Sequence, residues 1–166
     1  MSDPKSILPS DYPGFLAEIK MRISRERVRA ALSANSAMIL LYWDIGQSIL
    51  SRQGKQGWGS KVIEQLARDL KATFPGMTGF SVRNLRNMRM FARSWPDKAI
   101  VLRFVAQLPW STNLALLNKL RDSELRLWYA QQALENGLTR DMVVFQIESQ
   151  LHQRQGLSQH NFTARG

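Results

Sequence analysis

The 166-residue chain carries 23 Lys and Arg against 13 Asp and Glu, for a net charge of +10, with 44% hydrophobic residues and no cysteine. Its length fits one domain or two small helical lobes with enough apolar residues for a core, and the lack of cysteine excludes disulfides, thiolate chemistry and cysteine-ligated zinc. Between residues 52 and 93 nine cations meet only Glu64 and Asp69, leaving +7 in the middle of the chain, so the first partner to consider is a polyanion.

Residues 1–12 contain Pro and Ser and are expected to be flexible. The start Met1-Ser2-Asp3-Pro4 lacks the basic-then-apolar design of an export signal, which leads to the expectation of a cytoplasmic location. Ile19, Ile23, Val28, Leu32, Met38, Leu41, Ile45 and Ile49 or Leu50 then give a continuous apolar face to one long helix from about Pro13 to Ser51, although Ser33 to Ser36 could host a break. This segment also bears Arg22, Arg25, Arg27 and Arg29 beside its apolar seam, a combination that suits pairing with a second copy. The most apolar stretch, Ala37 to Trp43, ends at Asp44 and is far short of the roughly twenty residues that span a bilayer. It is read as core.

Gly54, Gly57 and Gly59 with Trp58 make a glycine-rich connector. No Gly-Lys-Ser/Thr element closes it, so it is a turn rather than a phosphate loop, with Trp58 exposed. Ile63, Leu66, Ala67, Leu70 and Phe74 repeat at helical spacing after Ser60 as cap, and this helix stops before Pro75-Gly76, because Pro75 disfavours a helical residue before it. A third helix runs from about Ser81 to Ser94, with Ser81 as cap and Phe80 stapled onto Leu85. At 100° per residue, Arg83, Arg86, Arg89 and Arg93 fall within an arc of about 120°, opposite Leu85, Met88, Ala92 and Trp95. Two helices around a turn, the second with an arginine face, match a loose, tri-helical or winged form of the unit that enters a DNA major groove. The turn is longer than that motif normally has. Such a face can also be a solvated stripe, or pair with acids from elsewhere in the fold. The lack of any Asp or Glu between Arg83 and Trp95 favours an external anion.

Beyond it, Pro96 and Asp97 start a short helix to about Gln107, Pro109 to Asn113 breaks the chain, and Leu114 to Lys119 forms another short helix. Asp122 or Ser123 caps a helix that Gly137 ends, and Thr139 caps a last one with Val143, Ile147 and Leu151 on one face. Nothing alternates at period two and no internal repeat is evident. The class is therefore all-α, a compact multi-helix domain of about seven helices over residues 13–154 containing a helix-turn-helix-like unit, with 155–166 as tail or linker.

Several strings resemble a known family: Leu40-Leu41-Tyr42-Trp43-Asp44-Ile45-Gly46, Phe80-Ser81-Val82-Arg83-Asn84-Leu85, Leu108-Pro109-Trp110-Ser111, Arg126-Leu127-Trp128-Tyr129, and the ending from Gln146 to Gly156. In order and spacing they are similar to the N-terminal domain of the YhcG-like family of bacterial proteins classed as PD-(D/E)xK nucleases. The resemblance implies a helical DNA-binding domain followed by a nuclease domain that these 166 residues do not contain. Thr112 or Asn113 stands where the family has a His, and Leu138 where it has a Trp.

No catalytic or metal-binding residue is assigned, no cofactor is expected, and the chain by itself is expected not to be an enzyme. Glu18-Ile19-Lys20 and Asp69-Leu70-Lys71 are the local matches to a carboxylate and lysine set, but both lie in predicted helices, whereas that active site is built on strands. His152 and His160 have no acid placed to orient them and are read as surface residues, and the tryptophans at helical spacing as core. The expected function is DNA binding with self-association. Arg83, Arg86, Arg89 and Arg93 would face the groove, Asn84 and Asn87 would reach a base or phosphate, and Lys55, Lys61, Arg68 and Lys71 would hold the backbone. The alternative is a protein–protein or oligomerisation adaptor, or RNA binding.

Overall fold

The computed structural model describes residues 9–54 and 58–155. They form eight α-helices and a 3₁₀ turn, with no strand among the described residues: α1 Tyr12–Gln53, α2 Ser60–Thr73, α3 Val82–Ser94, α4 Lys98–Arg103, the 3₁₀ turn Val105–Gln107, α5 Trp110–Lys119, α6 Ser123–Asn136, α7 Arg140–Glu148 and α8 Leu151–Arg154. The all-α class is as expected. The predicted tail lies outside the described residues apart from Gln155, as do residues 1–8 of the predicted flexible start.

Helix ends follow local chemistry. Ser81 Oγ accepts the Asn84 N–H at 3.1 Å, Asp97 accepts that of Ala99 at 2.9 Å, and Asp122 accepts those of Glu124 and Leu125, both at 2.9 Å. Thr139 Oγ1 accepts from Met142 at 3.3 Å. Each such cap is worth about 1 kcal/mol, because it satisfies an N–H with no partner within the helix. Gly137 closes α6 in the left-handed region at φ 60°, where glycine bears no Cβ penalty.

Some boundaries differ from expectation, and at Ser33–Ser36 the unbroken one of two alternatives holds. Ser60 is the first residue of α2 and Gly59 its cap, with no side-chain bond. The long helix α1 runs through Ser33–Ser36 without a break. Pro109 to Asn113 does not interrupt the chain: Pro109 caps α5, which begins at Trp110. The fully buried Asn113 donates through Nδ2 to the carbonyls of Val105 (2.9 Å), Leu108 (3.4 Å) and Pro109 (3.2 Å). Its amide thereby joins the 3₁₀ turn to α5, where sequence reading saw only a breaker. Finally, Gln150 at φ 56° separates α7 from α8, so Leu151 starts a new helix.

The chain divides into two units, Met1–Ala34 and Asn35–Gly166. The described part of the first is almost wholly the front of α1, and its residues from Lys20 to Ala34 are all exposed. The second holds two apolar clusters. One gathers Ile39, Trp43, Phe91, Trp95, Val101, Leu116 and Tyr129; the other gathers Tyr42, Ile49, Ile63, Ala67, Leu85 and Met88. α3 supplies residues to both, so its apolar side is enclosed on two fronts.

The second part of α1 crosses α3 closely at Gly46. A Cβ there would collide with the Met88 carbonyl oxygen and lie 2.8 Å from the Ala92 Cβ. Beside this crossing, Trp43 Nε1 donates to the Trp95 carbonyl at 2.7 Å and Gln47 Nε2 to the Ala92 carbonyl at 3.1 Å. Both acceptors are at the end of α3, where helical carbonyls have no N–H of their own to meet.

Tyr129 fastens α6 to the C-terminal turn. Its hydroxyl accepts the His152 N–H at 3.2 Å and shares a 2.8 Å hydrogen bond with His152 Nδ1. His152 is therefore half-buried and engaged, not the free surface residue expected, while His160 lies outside the described residues. Burial raises the Tyr129 phenol above its ordinary pKa of 10.0, against smaller lowering effects of the His152 backbone and Arg154. A group whose pKa is raised by folding contributes stability below its unfolded pKa and loses it as pH rises through the folded value. Tyr129→Phe should cost about 1 kcal/mol at neutral pH and make the loss of stability above about pH 10 shallower. Urea melts at pH 7 and at pH 9 to 11 check both.

Candidate nucleic-acid interface

α2, the connection Phe74–Ser81 and α3 form the predicted two-helix unit. The connection is held at one point by a network that sequence reading did not find. Gly79, at φ 101°, passes so close to Tyr42 that a Cβ would meet its hydroxyl. Asn84 Nδ2 donates to the Gly79 carbonyl at 2.7 Å, and Asn84 Oδ1 accepts from Trp110 Nε1 at 2.8 Å. The Tyr42 and Trp110 rings meet edge to face with centroids 5.0 Å apart. Burial raises the Tyr42 phenol pKa, opposed by its hydrogen bond to Asn84. The start of α3 is thus positioned by α1 and α5, through partners 42 and 26 residues from Asn84. Only the glycine and the Ser81 cap were local signals.

Both ends of the Asn84 amide are consequently held by partners inside the fold, which fixes its side chain beside Arg83 and Asn87. Asn87 is half-buried on the next turn of α3. Arg83, Arg86 and Arg93 are exposed and Arg89 is half-buried, its Nε enclosed with no hydrogen-bond partner. Helix geometry explains the difference, since Arg89 stands at the edge of the arginine arc nearest the buried Leu85. None of the four arginines makes an ion pair among the described residues.

The face is divided between two depressions. Between α2 and α3 a groove of about 680 Å³ is lined by Arg68, Lys71 and Arg86 together, with Glu64 its one acid and the start of α3 also in its wall. On the other side of α3, Arg83, Asn84 and Asn87 share a smaller hollow with Asn118 of α5. Lys61 and Arg93 are exposed and line neither. Lys55 lies outside the described residues. Arg68 also donates to Gln65 Oε1 at 2.7 Å, and Gln65 in turn to Asp69 at 2.9 Å, a surface chain that holds its guanidinium on α2.

Arg126 is a different kind of cation. Only 7% exposed, it donates to the Leu120 carbonyl at 2.9 Å and stacks over Trp95 at 5.8 Å. Burial lowers its pKa, with Asp122 opposing. It is a structural arginine within the core. No group of three His, Asp or Glu able to hold a metal occurs among the described residues, and Trp58, expected to be exposed, is half-buried and lines a groove together with residues of α1 and α2. No single described helix is long and apolar enough to cross a membrane.

An all-helical module with a cationic two-helix face is the class these observations define. The chain belongs to the family of the DUF1016 N-terminal domain, which it matches over residues 18–154. It is similar to a protein of Escherichia coli (strain K12) named "Putative nuclease YhcG", at 25% identity over 169 aligned positions that cover 82% of this chain and 44% of that protein. The chain thus spans less than half the length of this curated relative. No solved structure is significantly similar to it.

Proposed function

We propose that the chain is a DNA-binding, self-associating helical module, without catalysis of its own, that in longer relatives delivers a nuclease domain to double-stranded DNA. The observation that carries this reading is the groove between α2 and α3. Three cations from two helices converge there with one acid, and Arg86 has no ionic partner among the described residues. An unneutralised cationic cleft repels itself and attracts polyanions, and arginine with lysine on a helix pair suits phosphodiester oxygens. The relative's name supports nucleic acid as the polyanion.

Arg83, Asn87 and Arg93 extend the same face along α3, and Lys61 extends it on α2. With about five phosphates neutralised, log affinity should fall against log salt with a slope near −4 to −5. Binding to a labelled random-sequence duplex across a salt series, with tRNA as competitor, tests this. A flat salt response or absence of binding at low salt refutes the DNA reading and leaves an adaptor that meets an acidic protein surface; equal competition by tRNA moves the proposal to structured RNA.

A further inference from the structure

A second groove, of about 650 Å³, opens between the later part of α1 and α2, where Leu41, Ile45, Leu66, Leu70, Phe74 and Met77 line it. Leu41, Phe74 and Met77 are exposed, so the groove leaves apolar side chains open to water, and its volume lies in the range of binding pockets. All its lining residues belong to the unit Asn35–Gly166. The other unit presents the converse. Met21, Val28 and Leu32 of α1 are 65%, 59% and 57% exposed, and their spacings of seven and four residues set them along one line of the helix. An apolar line of this spacing is what a helix lays into a hydrophobic groove.

Charge favours the same pairing. Asp44 stands on the α1 side of the groove. Asp69, one residue before Leu70 and three after Leu66, falls along its α2 side. Both acids are exposed and neither makes an ion pair among the described residues. The apolar line is flanked by Arg25 and Arg22 on one side, with the acid Glu18 between them, and farther round by Lys20 and Arg27 on the other, and these four cations make no ion pairs among the described residues. The groove's own cation, Arg52, is turned to the Ser48 carbonyl at 3.2 Å.

We infer that the groove between α1 and α2 is the seat for the Met21, Val28 and Leu32 line of a second copy of this chain. Where two copies exchange helices reciprocally, each gives one and receives one, and the contact closes as a two-fold dimer. The inference rests on the self-association within the proposed function and names its surface; it does not depend on DNA.

Sedimentation of the purified chain over a concentration series tests it, with a line variant (Val28→Glu with Leu32→Glu) and a groove variant (Leu41→Glu with Met77→Glu). All four positions are exposed, and thermal melts verify folding; if either variant melts early, Leu32→Ser and Met77→Ser replace them. Each variant alone should dimerise at least about tenfold more weakly. An equimolar mixture should form a heterodimer tighter than either variant's homodimer, because it retains one intact seat. A groove variant that dimerises like the wild type while the line variant does not overturns the inference, since helix then pairs with helix, and leaves self-association standing. A wild type that stays monomeric at about 0.1 mM, where even weak interfaces are populated, overturns both, while duplex binding on the same samples reads the DNA proposal separately.

Discussion

Combining Arg68→Ala, Lys71→Ala and Arg86→Ala is expected to lower affinity for a random-sequence duplex on the order of a hundredfold at moderate salt and to flatten the salt slope by roughly 2 to 3. The three side chains come from two helices but open into one groove, so they should act together on neighbouring phosphates. All three are exposed, and replacing exposed side chains away from caps and ion pairs changes stability by about 0.5 kcal/mol or less each. A thermal melt beside each titration therefore separates lost binding from lost structure. Arg89→Ala provides the contrast: half-buried at the edge of the face, it should alter the slope by less than any of the three. An unchanged slope in the triple variant would place the polyanion elsewhere, or nowhere, on this face.

Gly46→Ala is expected to cost about 2 to 3 kcal/mol, the range for overpacking a close contact, and to lower the melting temperature by roughly 5 to 10 °C for a chain of this size. The new methyl would lie 2.7 Å from the Met88 carbonyl carbon and against its oxygen. Backbone cannot swing aside as a flexible side chain can, so α1 and α3 must separate. Separation would also lengthen the hydrogen bonds from Trp43 and Gln47 to the end of α3. Because α3 carries the arginines, duplex affinity should fall as well, though with a nearly unchanged salt slope, since no phosphate contact is removed. Calorimetry and the salt series together check both parts. A variant as stable as the wild type would mean that the crossing is looser than the geometry describes.

Helix existence and most helix ends were legible because their causes are local. Ser81, Asp97, Asp122 and Thr139 cap through bonds to residues two or three positions on, and Gly137 ends α6 by its own backbone freedom. The α3 pattern also transferred well: Leu85, Met88, Ala92 and Trp95 are buried as their spacing required, and Phe91 joins them. The start of α5 was missed because Asn113 reads as a breaker in the sequence, whereas its buried amide donates to carbonyls four, five and eight positions back and so ties α5 to the 3₁₀ turn. His152 was misread for a similar reason, its partner Tyr129 lying 23 residues away.

The candidate face was half legible. Helical angle alone put the four arginines on one side of α3, yet it could not tell that Arg89 would be half-buried, that Asn84 would be spent on Gly79 and Trp110, or that Arg86 would share a groove with Arg68 and Lys71. Charge density, helical class and the family likeness are properties of residue type and short spacing, so the sequence by itself determined them. Which cations converge, which are absorbed, and which apolar surfaces are left uncovered depend on contacts between residues tens of positions apart. Packing sets these, because the crossing of α1 and α3 at a glycine orients every side chain on α3 at once, and only the tertiary structure decided them.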